Sequence, residues 1–580
     1  MYKEILVDLK FGARRFIKYQ VGTKLLIFIV ILPFLKVVFN GLMRSRGFTY
    51  LTNGLLTKFL LSPQGVMSVL FGAIIATSVI VIEIGGLITL SHQVINKEAE
   101  SSYYTIFKYC MKKMKHLMGF DGLIIVLYLM IISPWLQIGM QTSLLQDIRI
   151  PGFIKDVIYN DVRYTAALTI VAMALFIVAI RWIFTIHNIM LKDQKGVKAL
   201  KESSKLVKNN LKAFIKNILG IGLINFSILG IISIFYILIA IVSVAVLGET
   251  YGEFVMMGLF GIGIFLLGIG QSVLLSFQIL HTTKLFYLFN DGKIPLIRLE
   301  EKGKKLSLFD QILNHKKVMI GLWIGMFLLA SVITKSMIEY IENTRYEVKV
   351  TAHRGSSKNA PGNTLAAIDV AIKHGADYAE IDVQETKDGK IVLLHDKSLE
   401  RTTGVDKNIW EVTLDEIKTL DAGSWFDEKY KGEKIATLEE VIDYTKGKIK
   451  LNIEIKTNGH EKNLIPQVIE LIKKKDILNT CVVTSLDYDA IQQVEAIESK
   501  VKTGYIMFVA MGNVEDLNVD FYSVEQTNAT DEFITAAHKI GREVHVWTIN
   551  EEEDMDEMIE LGVDNIITDF DQVLKQKLSK

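Results

Sequence analysis

The chain has 580 residues, half of them hydrophobic, and a formal net charge of +1. That length allows several domains, and with no surplus of basic charge no nucleic-acid partner is expected. Two cysteines, Cys110 and Cys481, stand far apart and outside any CxxC spacing, which excludes a disulfide framework and a thiolate metal site.

The apolar residues are unevenly spread. Seven runs before residue 336 are long and apolar enough to cross a bilayer: 25–40, 66–90, 120–138, 164–190, 218–247, 254–280 and 318–334. A helix buried in a large soluble core shows an amphipathic stripe, whereas these runs are apolar nearly all round. The first follows a charged segment and lacks a small-x-small cleavage site, so it is not read as a signal peptide.

Basic residues alternate between connections. They crowd the stretch before the first run (Lys10, Arg14, Arg15, Lys18), the second-to-third connection (Lys108, Lys112, Lys113), the fourth-to-fifth (Lys195 to Lys216) and the sixth-to-seventh (Lys302, Lys304, Lys305), and thin out in the others. By the positive-inside rule the N-terminus is cytoplasmic, and seven crossings place everything after Thr334 outside. Several of the inside loops, notably 195–216, read as basic amphipathic helices lying on an anionic leaflet of membrane lipids, or as topology signals alone.

Charges within a bilayer are expensive, at ~2.5–3.5 kcal/mol in mid-helix on insertion scales. Glu83 in the second run, Arg181 in the fourth and Gln271 in the sixth sit at one depth when counted from the outer ends at ~1.5 Å per residue. The expectation is a buried Glu83–Arg181 pair with Gln271 nearby. Residues 1–335 are accordingly read as a membrane domain with about seven transmembrane helices, 336–347 as a polar connector and 348–580 as an outward-facing domain.

Beyond the connector, strand and helix patterns alternate. Strands are predicted at 348–352, 378–383, 391–395, 451–455, 481–485, 503–507, 521–524, 543–548 and 565–568, with helices between most of them, such as 363–374 stopped by Gly375. The link between the second and third of these strands is too short for a parallel crossover. Lys387-Asp388-Gly389-Lys390 reads instead as a two-residue hairpin turn. Removing 391–395 from the parallel set leaves eight strands, which fits an α/β fold of the (β/α)8 TIM-barrel class.

Glu380 and Asp382 occupy alternate positions of one strand and so share a face. If Lys387 pairs with Lys390, Asp382 lies opposite His395. Two acids and an imidazole then meet on one small patch, at the strand ends where a barrel carries its functional groups. His353, Glu454 and Lys456 fall at strand ends too.

From Thr351 onward the chain resembles the glycerophosphodiester phosphodiesterase family. HRG at His353–Gly355, EIDVQ at 380–384, LLHD ending at Asp396, GSWF at 423–426, TLEEV at 437–441, NIEIK at 452–456, VHVWTIN at 544–550 and LGVDNIITD at 561–569 appear in the family's order. The multi-span region before it is similar in layout to the membrane domain that some bacterial members carry, which points to a bacterial cell membrane as the location.

The residue types and the resemblance agree on a chemistry. Glu380, Asp382 and Glu454 form a hard oxygen site suited to Ca²⁺ or Mg²⁺, and a divalent metal polarises phosphoryl oxygens. Arg354 and Lys456 add donors to the developing charge, and His353 and His395 form the acid/base pair. Trp425, Phe426 and Trp547 are expected to line the substrate site, as the family's aromatics do. The resemblance implies hydrolysis of a glycerophosphodiester to sn-glycerol 3-phosphate and an alcohol, and suggests first attack by the substrate's own glycerol hydroxyl. The substrate is a soluble deacylated phospholipid, a lysophospholipid or an envelope polymer with glycerophosphate units. A reading of another class, a weakly catalytic binding or transport module, is opposed by the intact set of acids and histidines. Two positions depart from the family. Gly362 replaces a glutamate in the Pro-Glu-Asn that follows HRG, and Ala436 replaces a proline.

Overall fold

The computed structural model describes residues 2–116, 161–223, 273–294 and 348–579, with isolated positions between them. The chain divides into two units. One comprises Met1–Gly41, Val66–Ile148 and Asp161–Glu339, the other Leu42–Gly65, Arg149–Asn160 and Tyr340–Lys580.

Three of the described helices, lying wholly or mostly in the first unit, are long and apolar enough to span a membrane: Lys3–Ser45, Pro63–Ile95 and Val162–Lys192. A shorter apolar helix covers Val273–Phe289. They contain the first, second and fourth predicted spans. The runs at 120–138 and 318–334, most of 218–247 and 254–280, the connector and Gln271 lie outside the described residues. The long helices leave Phe28, Val37, Met67, Ile74, Ile170 and Phe176 exposed, as a hydrocarbon environment allows. Their other faces bury Tyr19, Leu87, Phe184 and Met190 in a common core with Phe286. The basic stretch forms the helix Gly196–Asn209, which buries Ala199, Leu200 and Val207 and exposes Lys198, Lys201 and Lys205.

The expected Glu83–Arg181 pair does not form. Glu83 pairs instead with Lys24, whose Nζ lies 2.8 Å from its Oε1. The first helix begins well before the apolar run, so Lys24 is a mid-helix residue rather than part of a loop, and it reaches the buried carboxylate. Arg181 closes the helix Val162–Trp182 and donates from Nε to Ser204 Oγ at 2.8 Å, while the neighbouring Ser203 hydroxyl donates to the Arg181 carbonyl.

The second unit contains every strand among the described residues: β1 (Tyr50–Thr52), β2 (Lys349–Ala352), β3 (Tyr378–Glu385), β4 (Ile391–Leu393), β5 (Lys450–Ile455), β6 (Cys481–Ser485), β7 (Lys502–Met507), β8 (Ala510–Gly512), β9 (Phe521–Glu525), β10 (Glu543–Trp547) and β11 (Asn565–Thr568). Strands β2, β3, β5, β6, β7, β9, β10 and β11 pair in parallel in that order, and β2 meets both β3 and β11, closing an eight-stranded barrel. All nine predicted strands are present, and β4 is antiparallel to β3, outside the barrel.

Local chemistry explains the elements that carry the site. In β3 every residue is buried. Ala379, Ile381 and Val383 join the apolar layer beneath the helices, which leaves Glu380, Asp382 and Gln384 on the opposite face. The helix Leu365–His374 is capped by Thr364, whose hydroxyl accepts from Ala367 N, and stops at Gly375 with φ +73°.

The β3–β4 hairpin is shifted by one residue from the expected register. Val383 pairs with Leu393, and Leu394 N donates to Asp382 O, so Asp382 faces Leu394 rather than His395. The turn is a three-residue loop, Lys387-Asp388-Gly389, closed by Thr386 N donating to Lys390 O and ending on Gly389 at φ +76°. Thr386 holds this form by donating from its hydroxyl to Asp388 and accepting from Lys390 N. Between β4 and β5 the chain makes an excursion with a small core of its own, including Leu399, Ile409, Val412 and Ile417.

Candidate active site

The site is assembled at the C-terminal ends of the first three barrel strands and of the last, with His395 and Asp396 added from the loop that follows β4. Beyond β2, His353 is followed by Arg354 at φ +54° and Gly355 at φ +73°. Gly355 is required here, because a Cβ would lie 2.8 Å from Ala367. This tight turn aims two amides at β3: Arg354 N donates to Glu380 Oε2 at 2.7 Å and Gly355 N to the Glu380 carbonyl at 3.0 Å.

Glu380, Asp382 and Glu454 are all buried, and one carboxylate oxygen from each lies within 4.8 Å of the other two. Asp382 pairs in register with Glu454 across β3 and β5. Lys456 Nζ lies 3.0 Å from Asp382 Oδ1 and also contacts Glu454, while Arg354 Nε is 3.7 Å from Asp382 Oδ2. Asn363, at φ +62°, clasps Asp382 from the other side. Its amide donates to Asp382 Oδ2 at 2.7 Å and its carbonyl accepts from Asp382 N at 2.9 Å.

Three acids in one buried place do not ionise alike. Burial, together with the charges of Asp382 and Glu454, pushes Glu380 well above the usual carboxylate range. Burial also lifts Glu454 to about 7, against the pull of Lys456. Asp382 is just as buried, but Lys456, His395 and Arg354 outweigh that and hold it well below the usual range. Glu380 Oε1 is buried with no hydrogen-bond partner. A hard divalent cation held by oxygen ligands is the group that such a donor set fits.

Each of the two histidines has a carboxylate behind it. His353 Nδ1 lies 2.7 Å from Asp569 Oδ1, and Asp569 is fixed in turn by Ser357 Oγ at 2.6 Å and Asn550 Nδ2 at 2.8 Å. His395 Nδ1 lies 2.7 Å from Asp396 Oδ1, and Arg401 donates to the other oxygen of that carboxylate. Burial lowers His395, opposed by Asp396. Gln384 pins this loop, donating from one amide nitrogen to the carbonyls of Leu394 and Asp396.

The aromatic residues are spread more widely. Trp425 is 42 % exposed, meets Phe426 edge-on at 5.8 Å and carries the Arg401 guanidinium 5.1 Å above its ring. It thereby joins the Asp396–His395 side of the site. Trp547 ends β10 and donates to Ser523 O. The sequence alone assigns no role to Asp569, Asp396, Asn363 or Gln384. Two signals were present: Asp569 closes the LGVDNIITD motif, and Asp396 directly follows His395. At Gly362 a Cβ would stand 3.2 Å from Arg354 Cβ, so the position where the family carries glutamate lies against the arginine stem.

Comparison with known proteins covers both halves. Residues 353–572 match the family model described as the glycerophosphoryl diester phosphodiesterase family, and residues 2–337 match the membrane domain of glycerophosphoryl diester phosphodiesterase. A glycerophosphodiester phosphodiesterase of Caldanaerobacter subterraneus subsp. tengcongensis is 38% identical over 237 residues, covering 39% of this chain and 95% of that protein. One of Bacillus subtilis is 30% identical over 245 residues, covering 38% of this chain and 84% of that protein. The solved structure of an Oleispira antarctica phosphodiesterase in complex with the product sn-glycerol-3-phosphate is 31% identical, with a TM-score of 0.39 over 40% of this chain and 97% of that one.

Proposed function

The chain belongs to the glycerophosphoryl diester phosphodiesterase family, and from that premise we propose a metal-dependent diesterase that works at the outer face of the cell membrane. It is a glycerophosphodiester phosphodiesterase with a membrane domain. The finer reading rests above all on the buried Glu380–Asp382–Glu454 cluster, with its unpartnered oxygen and its cationic neighbours.

In this reading the three carboxylates hold Ca²⁺ or Mg²⁺, which when bound supplies Lewis-acid polarisation of the phosphoryl oxygens. Arg354 and Lys456 set positive charge where negative charge grows on the phosphate. His353 and His395 exchange the protons, one taking a proton from the attacking oxygen and the other giving one to the leaving alcohol. Each ring has Nδ1 tied to a carboxylate, which fixes its tautomer and leaves Nε2 for that exchange. Trp425, Phe426 and Trp547 line the approach. Residues 1–335 form the membrane domain with about seven helices, 336–347 the connector and 348–580 the catalytic domain. The N-terminus is cytoplasmic in this reading, which the alternation of basic residues supports.

The test is hydrolysis by the purified full-length protein of a panel of glycerophosphodiesters, lysophospholipids and glycerophosphate polymers. The expected result is release of sn-glycerol 3-phosphate that stops on chelation and returns with Ca²⁺ or Mg²⁺. Full turnover in excess chelator would refute the metal reading, and the preferred substrate identifies the alcohol.

A further inference from the structure

The segment between the first two long helices is short and mixed in character: Phe48-Thr49-Tyr50-Leu51-Thr52-Asn53 and then Gly-Leu-Leu-Thr-Lys-Phe-Leu-Leu. It nevertheless buries Leu51, Thr52 and Phe59 completely and Asn53 almost so. For Leu51, Thr52 and Asn53 the covering partners are in the barrel. Every other parallel strand is followed by an α-helix before the next, but β7 leads only to β8 and the short 3-10 turn Val514–Asp516 before β9 begins.

The segment fills in beside that bare connection. Strand β1 pairs antiparallel with β8, with Leu51 opposite Met511, and the helix Asn53–Leu60 follows it. Thr52 Oγ1 meets the Tyr505 hydroxyl of β7 at 3.0 Å, and the Tyr50 ring meets Tyr488 edge-on at 6.3 Å. Gly512, at φ +85°, makes the approach possible, since a Cβ there would stand 2.7 Å from Thr49 O. Asn53 makes the most specific contact. Its amide nitrogen donates to Ile506 O at 2.7 Å and to Leu486 O at 3.3 Å, and its carbonyl accepts from Phe508 N at 3.0 Å. Those groups are the C-terminal ends of β6 and β7. Asn53 therefore behaves like one residue of an added strand, supplying hydrogen-bond partners to backbone groups at these two strand ends.

We propose that residues 48–62 are a structural part of the catalytic barrel, standing in for the helix that β7 lacks, with Asn53 as a positioning residue for the strand ends on the active-site face. The first loop of the membrane domain and the barrel then lie on the same side of the membrane, separated by an even number of crossings. This holds whichever side that is, so it does not rest on the outward orientation proposed above. A barrel expressed without residues 48–62 lacks part of its own wall.

The experiment uses the full-length protein carrying Leu51→Cys and Met511→Cys, with a site for a specific protease inserted between residues 336 and 347. After oxidation and cleavage, the barrel fragment is expected to stay linked to the membrane fragment on a non-reducing gel and to separate on reduction. If both thiols are alkylated after denaturation yet no linked species ever forms, the docking is wrong. This readout needs no activity, so failure of the proposed chemistry leaves it intact. A second variant, Asn53→Ala, tests positioning. It is expected to raise KM for the diester several-fold with kcat per folded molecule little changed. An unchanged KM with only a lower yield of folded protein overturns the positioning role.

Discussion

His353 and Asp569 meet at 2.7 Å across the seam where the last barrel strand closes on the first. The pair joins residues 216 positions apart in sequence, and it is made only when the barrel is closed. The side chains of Ser357 and Asn550 hold the same carboxylate, so the ring has one orientation to adopt.

Asp569→Asn is therefore expected to cost kcat ~10²–10⁴-fold, the span of a misplaced general acid or base, while leaving the barrel folded. Steady-state kinetics beside a circular dichroism spectrum check this. A variant with wild-type kcat shows that His353 needs no carboxylate behind it.

The acids divide into two groups by what surrounds them. Glu380→Gln, Asp382→Asn and Glu454→Gln each remove one ligand of the proposed cation and are expected to lower turnover by orders of magnitude, together with loss of divalent-cation binding in calorimetry. Loss of Asp382 also leaves Arg354 without its buried counter-charge and Lys456 with Glu454 alone, so Asp382→Asn is expected to lower thermal stability as well. Equal Tm values across the three variants contradict that asymmetry.

Asp396 makes a prediction about acid. His395 and Arg401, acting against burial, hold its carboxyl well below its ordinary 3.8. A carboxylate depressed on folding contributes stability that is complete above its unfolded value and is lost as pH falls through the folded one. The Tm difference between the native protein and Asp396→Asn is thus expected to stay level from neutral pH down to about pH 4–5 and to shrink below that. A difference that grows with acid reverses the sign and removes the explanation.

In the membrane half, Glu83 is paired with Lys24. Removing one charge leaves the other buried or unbalanced, so Lys24→Met and Glu83→Gln are each expected to lower Tm more than the double variant does. Additive losses mean the two side chains are not coupled.

Much of the barrel was legible in the sequence because its strands are short apolar runs with functional side chains at their ends. That is how His353, Glu380, Asp382, Glu454 and Lys456 could be placed near one another before any contact was known. The errors have physical causes. Asp-Gly signals a turn but not its length, and Thr386 selected a three-residue loop, which moved the hairpin register by one. The Glu83 partner was missed because Lys24 stands outside the apolar run, although the helix that carries it continues through the run. Strand β1 was invisible for a further reason. Tyr50–Thr52 has no pattern of its own, and its partners lie some 450 residues away: Thr52 bonds Tyr505, with a separation of 453.

The most direct test of the account uses sealed right-side-out membrane vesicles and a charged glycerophosphodiester that does not cross the bilayer. The expected result is release of sn-glycerol 3-phosphate without permeabilisation, abolished by an impermeant chelator added outside and absent in Glu380→Gln. Hydrolysis that appears only once the vesicles are opened, or that persists in external chelator, contradicts an outward-facing, metal-dependent site.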